Sequence, residues 1–242
     1  MLAHSPNFAM LSHPGRHRKG NEDTCAASPE TGAYIVCDGM GGAAAGEVAS
    51  HLATQAFLQS LSVHAAAPPE SRLKVAIKAA NQLVYQRSRS ASHLFGMGTT
   101  LVALLQLGDT LTLAHVGDSR AYLLRGGHLT RLTHDHSFVE EHLRAGDLTP
   151  TQAVQHPWRN IITRAIGSQP VVQPDILRLD PHRGDLLLLA SDGLINELPD
   201  STIAEVLCRP RLDLASLCQI LIDCANQAGG RDNITVLLLQ IP

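Results

Sequence analysis

Apolar residues recur along this chain at two spacings, and the change from one to the other divides it. Between residues 45 and 61, Ala49, Leu52, Ala53, Ala56, Leu58 and Leu61 return at three- and four-residue steps, which predicts a helix. Leu73, Ile77, Ala80 and Val84 keep that step through 70–90, while Lys74, Lys78, Gln82 and Arg87 fall mostly elsewhere, and Ser71 is placed to cap this second helix. The Ala/Pro run at 65–69 reads as the loop between them. From residue 99 the period shortens. Segments 99–107, 110–116 and 120–125 are short, apolar and rich in strand-compatible residues, with Gly108-Asp109 and Gly126-Gly127 as tight turns, the pattern of an antiparallel meander. Segments 185–190 and 233–240 predict two more buried strands, and 34–37 predicts an early strand running into Asp38-Gly39. A third helix is expected at 213–228, where Leu214, Leu217, Leu221, Cys224 and Ala228 share one face. Strands are neighbours in sequence and helices come in blocks, which favours an α+β fold with antiparallel sheet over an alternating parallel one. Segment 134–170, of mixed polarity and with prolines and Trp158, reads as a lobe or flap outside the sheet.

Composition narrows what such a fold is for. The 242 residues suit a single domain spanning 1–242, and 44% apolar content fills a core. Only 17% of residues are charged and the net charge is −3, so the Lys/Arg excess of a sequence-blind nucleic-acid binder is absent. No run of about 18 apolar residues exists to cross a membrane. The N-terminus lacks the basic and apolar regions of a secretory leader. The five cysteines are odd in number and form no CxxC pair, which speaks against a disulfide framework or a cysteine-rich zinc site. A reducing, cytoplasmic setting is expected.

The chemistry gathers at strand ends. Asp38 ends one apolar strand in VCDGMGG, Asp118 follows another in HVGDSR, Asp192 ends a third in LLLLASDG, and Asp232 precedes a fourth in GGRDNITV. Glu22 and Asp23 stand together in GNED. One Asp-Gly alone is an ordinary turn. Four at apolar strand ends, with an acidic pair besides, point to a shared site, where converging carboxylates repel one another unless a hard divalent cation takes them as oxygen ligands. One carboxylate bridging two ions would give a two-metal centre. Spacing alone does not choose the reaction.

Six short segments, in order, carry a family resemblance: Arg18-Lys19-Gly20-Asn21-Glu22-Asp23, Val36-Cys37-Asp38-Gly39-Met40-Gly41-Gly42, Gly98-Thr99-Thr100, Val116-Gly117-Asp118-Ser119-Arg120, Ser191-Asp192-Gly193 and Asp232-Asn233-Ile234-Thr235. Together they resemble the metal-dependent Ser/Thr protein phosphatases of the PP2C (PPM) family, in its stand-alone bacterial form. The resemblance implies a central antiparallel β-sandwich flanked by helices, with a flap at about 134–167. It implies hydrolysis of phosphoserine and phosphothreonine on proteins by a metal-bridged water, with two Mn²⁺ or Mg²⁺ ions. Asp38 would bridge the ions, Asp192 and Asp232 would complete the first, and the Gly39 carbonyl and Glu22 would hold the second. Asp118 with Asp192 would hold a third, weaker ion. Asp23 would orient metal-bound water, and Arg18 would bind the substrate phosphate. Where animal relatives carry His after the Asp-Gly of the metal motif, this chain has Met40, so the general acid is open between a third-metal water and His156. The implied partners are phosphorylated proteins, including a Ser/Thr kinase or a forkhead-associated scaffold protein, in the style of the phosphatases of type VI secretion. A monomer without nucleic-acid or membrane partners is expected.

Other residues invite weaker readings. His134-Asp135-His136 looks like a ligand cluster, but neighbours on extended chain point to opposite faces, so a loop fits better than a zinc site. Ser119 lies in GDSR and not in the GxSxG of a serine hydrolase. His115 reads as a strand residue and Trp158 as a packing anchor. The rival functions are a non-catalytic phosphoprotein-binding module, which intact Glu22, Asp38, Asp192 and Asp232 disfavour, and a small-molecule phosphoesterase on the same fold.

Overall fold

The structure, a computed structural model, describes residues 7–64 and 66–242. Its strands are β1 (Asn7–His13), β2 (Asp23–Ser28), β3 (Ala33–Met40), β4 (Gly98–Thr99), β5 (Leu101–Leu107), β6 (Thr110–Val116), β7 (Arg120–Arg125), β8 (His128–Arg131), β9 (Asp175–Leu179), β10 (Leu186–Ala190) and β11 (Ile234–Gln240). Its helices are α1 (Ala43–Val63), α2 (Pro69–Ser90), α3 (Phe138–Ala145), α4 (Pro150–Val154), α5 (Asp192–Ile195), α6 (Asp200–Leu207) and α7 (Leu214–Ala228). One sheet runs β1-β11-β10-β7-β8, and the other runs β2-β3-β5-β6-β9 with β4 added on β3. Every named strand pair is antiparallel.

Side-chain alternation along the central strands builds three apolar layers. In β3, Ala33, Ile35 and Cys37 pack toward α1 and α2 with Phe57, Leu61, Leu73 and Ile77, while Tyr34 and Val36 face the other sheet. In β10, Leu187 and Leu189 enter the layer between the sheets, and Leu186 and Leu188 pack against Ile203, Leu217 and Leu221 of α6 and α7. β11 divides likewise, with Val236 and Leu238 toward the helices and Leu237 and Leu239 toward the opposite sheet. Both faces of these strands are therefore apolar, and their two-residue period is hidden in the sequence as a continuous run. The expected sandwich flanked by helices is what forms.

Differences from the expected elements have local causes. Helix α2 starts at Pro69 with Pro68 as its N-cap and no side-chain cap, so Ser71 does not cap it. Proline suits that first position because its missing N–H would have no partner there. The strand expected at 99–107 is broken at Thr100, whose N–H turns to the Asp38 carbonyl (2.8 Å). Asp38 and Gly39 lie inside β3, which runs on to Met40. The turns at Gly108 (φ 56°) and at Gly126 and Gly127 (φ 57° and 82°) close two-residue hairpins, as expected. Asp213 caps α7 by accepting the Ser216 N–H at 2.7 Å. Segment 134–170 holds α3 and α4, closed on itself by the isolated bridge Ser137↔Ile162 and tied to the sandwich by Thr99↔Ile166. Among the described residues no helix is long and apolar enough to cross a membrane.

Candidate metal centre

Both sheets deliver carboxylates to one end of the sandwich. Asp38 and Asp23 are register partners on β3 and β2. Asp118 follows β6, beyond Gly117, whose φ of 108° lets the chain turn there. From the other sheet, Asp192 opens α5 directly after β10, and Asp232 precedes β11. A cleft of about 260 Å³ at this end is lined by Arg18, Glu22, Asp38, Gly39, Asp118, Asp192 and Asp232, together with the Met40–Gly42 turn, Thr100, Ile162 and Asn233. All the residues expected to hold metal are thus brought together. Asp23 is not in the lining. It lies buried, with Oδ2 accepting the Ser191 hydroxyl at 2.7 Å and Oδ1 without a partner.

Neutral side chains fix this arrangement. Asn233 accepts the Glu22 N–H (2.8 Å) and donates to the carbonyls of Pro14 (3.0 Å) and Gly20 (2.9 Å), joining the acidic loop to β11. The Glu22 carbonyl also accepts the Ser50 hydroxyl (2.6 Å) and the Gly39 N–H (3.2 Å). Thr100 Oγ1 accepts the Asp38 N–H (2.9 Å) and pairs with the Ser119 hydroxyl (2.7 Å). Ser191 bonds Asp23 and accepts the Thr235 N–H at 2.9 Å. Two glycines permit the close approach of α1 to β3. A Cβ on Gly39 would lie 2.1 Å from the Gly46 carbonyl oxygen, and one on Gly46 would lie 1.8 Å from Glu22 Oε2. Thr100, Asn233 and Ser191 stand inside the quoted segments, yet their residue types alone assign them no task. Ser50, Gly46 and Ile162 carry no sequence signal.

The electrostatics are those of a site built for positive charge. Burial, then the charges of Asp23 and Asp192, hold the Asp38 carboxyl well above the usual range. Burial and Asp192 push Asp118 up to about 8. Asp23 rises to about 7, chiefly by burial, against the hydrogen bonds of Thr235 and Ser191. Asp192 and Glu22 are raised by the same desolvation, Glu22 with Arg18 opposing it. Arg18 is half-exposed and pairs with Asp232 at 2.7 Å, an ion pair that holds its guanidinium at the cleft.

His134 and His136, two residues apart, would share a face on a regular strand, but residues 132–136 are irregular chain and separate them. His134 is exposed, and Asp135 is taken by Arg120 (2.7 Å) and Arg131 (2.8 Å). His136 is buried and stacks on His115 of β6, ring centres 4.4 Å apart. His115, His136 and Asp175 lie within ligand distance of one another. However, His136 Nδ1 accepts the Gly117 N–H (3.1 Å), so the neutral ring keeps its proton on Nε2, 3.4 Å from Asp175 Oδ2. A metal would need that nitrogen bare; as it stands Nε2 makes no hydrogen bond, and His115 Nε2 meets the His134 carbonyl at 2.8 Å. His156 stacks near Phe138 (5.2 Å) and is not among the residues that line this cleft. Trp158 stands edge-on to Phe138 at 4.9 Å but is 52% exposed, so it is not the buried packing anchor expected.

Comparison with known proteins decides the family. The family model described as Protein phosphatase 2C matches residues 15–237. The chain belongs to the protein phosphatase 2C family. This phosphatase 2C is 39% identical over 233 residues to the serine/threonine phosphatase stp of Listeria monocytogenes, covering 93% of this chain and 92% of the relative. Its fold matches the S. agalactiae serine/threonine phosphatase with a TM-score of 0.91 at 36% identity, covering 98% of this chain and 100% of the other. It matches the catalytic domain of the serine/threonine phosphatase PstP, solved with two manganese ions, with a TM-score of 0.87 at 37% identity over 97% of each chain. The expected enzyme class, a protein-serine/threonine phosphatase, stands.

Proposed function

We propose that Glu22, Asp38, Asp192, Asp232 and the Gly39 carbonyl of this phosphatase hold two divalent cations, Mn²⁺ or Mg²⁺, and that Asp118 with Asp192 holds a third. The observation that carries this is the convergence of carboxylates from both sheets, at raised pKa, with no cationic partner in the cleft but Arg18. The donors are all oxygen, which suits hard divalent cations and not zinc. Two such ions offset the carboxylate charge and act as Lewis acids toward a phosphoryl oxygen.

The chain's own groups do the rest. Arg18 lies at the open side of the cleft, where its planar donors can take two oxygens of a phosphate monoester in exchange for Asp232. Asp23, held by Ser191 and paired in register with Asp38, would orient water bound at the cations from behind the cleft lining, with Oδ1 free of any protein partner. Thr100, Asn233 and Ser191 keep these groups from relaxing apart, so the charges are already in place when phosphate arrives. Met40 offers no proton to the leaving oxygen. The substrates are phosphoserine and phosphothreonine proteins, among them a kinase or a forkhead-associated protein, met by a cytoplasmic monomer.

The test is phosphate release from a phosphothreonine peptide with Mn²⁺, Mg²⁺ or EDTA, for wild type and Asp192→Ala. Turnover should need the cation and fall at least about a hundredfold in the variant, more than loss of a supporting residue costs. Turnover that survives both EDTA and Asp192→Ala overturns the assignment. Faster release from nucleotides than from the peptide would favour the small-molecule reading.

A further inference from the structure

A second cavity, about 670 Å³, opens beside the metal cleft and shares Asp118, Ile162, Asp192 and Asp232 with it. Its size falls in the roughly 300–1,000 Å³ range of ligand-binding clefts. One wall is apolar. Val139 and Leu143, four residues apart on α3, present the same helix face to it, joined by Ala153 and Val154 of α4 and by Ile162. Helix α3 buries none of its eight residues, and Val154 is 75% exposed. Val139, Leu143 and Val154 are thus held toward an open groove and not spent on the core, whereas Ala153 is buried. Ile195 of α5 faces them from the other side. Three ion pairs stand at the groove, Arg120 with Asp135, Arg131 with Glu140, and Arg231 with Glu197, while Arg159 lines it without an ion pair among the described residues.

We propose that this groove receives the residues flanking the phosphorylated side chain and selects an aliphatic one, leucine, isoleucine or valine, among them. The proposal rests on the phosphatase reading above. The occupant follows from continuity. The groove shares Ile162, Asp192 and Asp232 with the metal cleft, so a peptide whose phosphate sits among Asp38, Asp192 and Asp232 can run past Ile162 along it. The paired rim charges are satisfied within the protein and leave Arg159 as a cation at the mouth, whereas five aliphatic or alanine side chains from three segments offer a surface that water solvates poorly. Selection would come from the α3–α4 wall, which stands outside the sandwich and contributes nothing to the metal centre.

The test compares kcat/KM for phosphothreonine peptides that differ only in Leu against Ser at each of the three positions on either side. In wild type, one position should favour Leu about tenfold or more, the scale on which an apolar pocket discriminates. In Leu143→Ser, and separately in Val154→Ser, whose exposed side chain makes unfolding no explanation, the Leu/Ser ratio at that position should fall toward one. The ratio is taken within each variant, so a general change in activity does not imitate it. Equal rates on all wild-type peptides, with turnover of p-nitrophenyl phosphate intact, overturn the groove proposal and leave the phosphatase standing. A ratio unchanged in both variants also overturns it. Failure of wild type on p-nitrophenyl phosphate and on every peptide overturns the phosphatase reading itself.

Discussion

Replacing Gly46 by alanine sets two physical effects against each other at one atom. Gly46 sits in the first turns of α1, with its N–H on the Gly42 carbonyl at 3.0 Å. Helix propensity alone makes Gly→Ala stabilising there, by up to about 1 kcal/mol. The added Cβ, however, would lie 1.8 Å from Glu22 Oε2, 2.8 Å from the carboxyl carbon and 2.9 Å from the Gly39 carbonyl carbon. Relieving the first contact needs a shift of roughly 1.5 Å, since nonbonded heavy atoms settle at about 3.5 Å. The Glu22 backbone cannot supply it, being held by Asn233, Ser50 and Gly39. The carboxylate must therefore swing away from the Gly39 side of the cleft. Displacing a supporting group typically weakens a metal site by about 10–100-fold, or about 1.4–2.7 kcal/mol. The assay pairs thermal melting in EDTA with calorimetric titration of Mn²⁺. We expect a folded protein whose melting temperature in EDTA lies at or somewhat below wild type, the backbone contact with Gly39 offsetting the propensity gain, and one Mn²⁺ step weakened by that factor. Wild-type Mn²⁺ affinity in a folded Gly46→Ala protein would refute the placement of Glu22 at a metal.

Two other predictions address the charge and the scaffold. Asp118 titrates at about 8 in the metal-free fold against an ordinary value of 3.8, so its contribution to stability is full below that ordinary value and is lost as pH rises through 8. Asp118→Asn should accordingly gain on wild type in EDTA as pH rises from 4 to 8, read as a widening difference in melting temperature, and a constant difference contradicts the repulsion. Asn233→Ala removes three hydrogen bonds from a nearly buried side chain. It should cost about 2–4 kcal/mol in urea unfolding, and a loss under about 1 kcal/mol would mean that Asn233 is not the tie between the acidic loop and β11.

The sequence made the site more legible than the architecture. Asp38, Asp118, Asp192 and Asp232 each adjoin a glycine or an asparagine at the end of an apolar run, so a local signal marked every one. Their convergence needed the pairing of β2 with β3 and the packing of two sheets, which no local pattern encodes. β1, β2, β8 and β9 went unseen because they are short, partly exposed edge or near-edge strands whose polar and apolar residues keep no clean alternation. In α3 and α4 the apolar positions line a groove and not a core, so their period carried too few residues to be read. Asn233 and Thr100 illustrate the other limit: polar residue types announce hydrogen bonding but not to what, and their partners lie up to 219 residues away.

The layer between the sheets consists of apolar side chains such as Tyr34, Val102, Leu187 and Leu239. Attraction of that kind has no direction. It sets the thickness of the sandwich without fixing how far one sheet slides along the other. That lateral alignment falls to a few polar stitches at one end, Ser191 to Asp23 and Asn233 to Glu22. The reaction centre therefore sits on a seam, and its geometry is a vernier for the whole molecule. A small shear produced anywhere in the interior moves Asp38 and Asp118 against Asp192 and Asp232, and misaligns the catalytic groups before it unfolds anything.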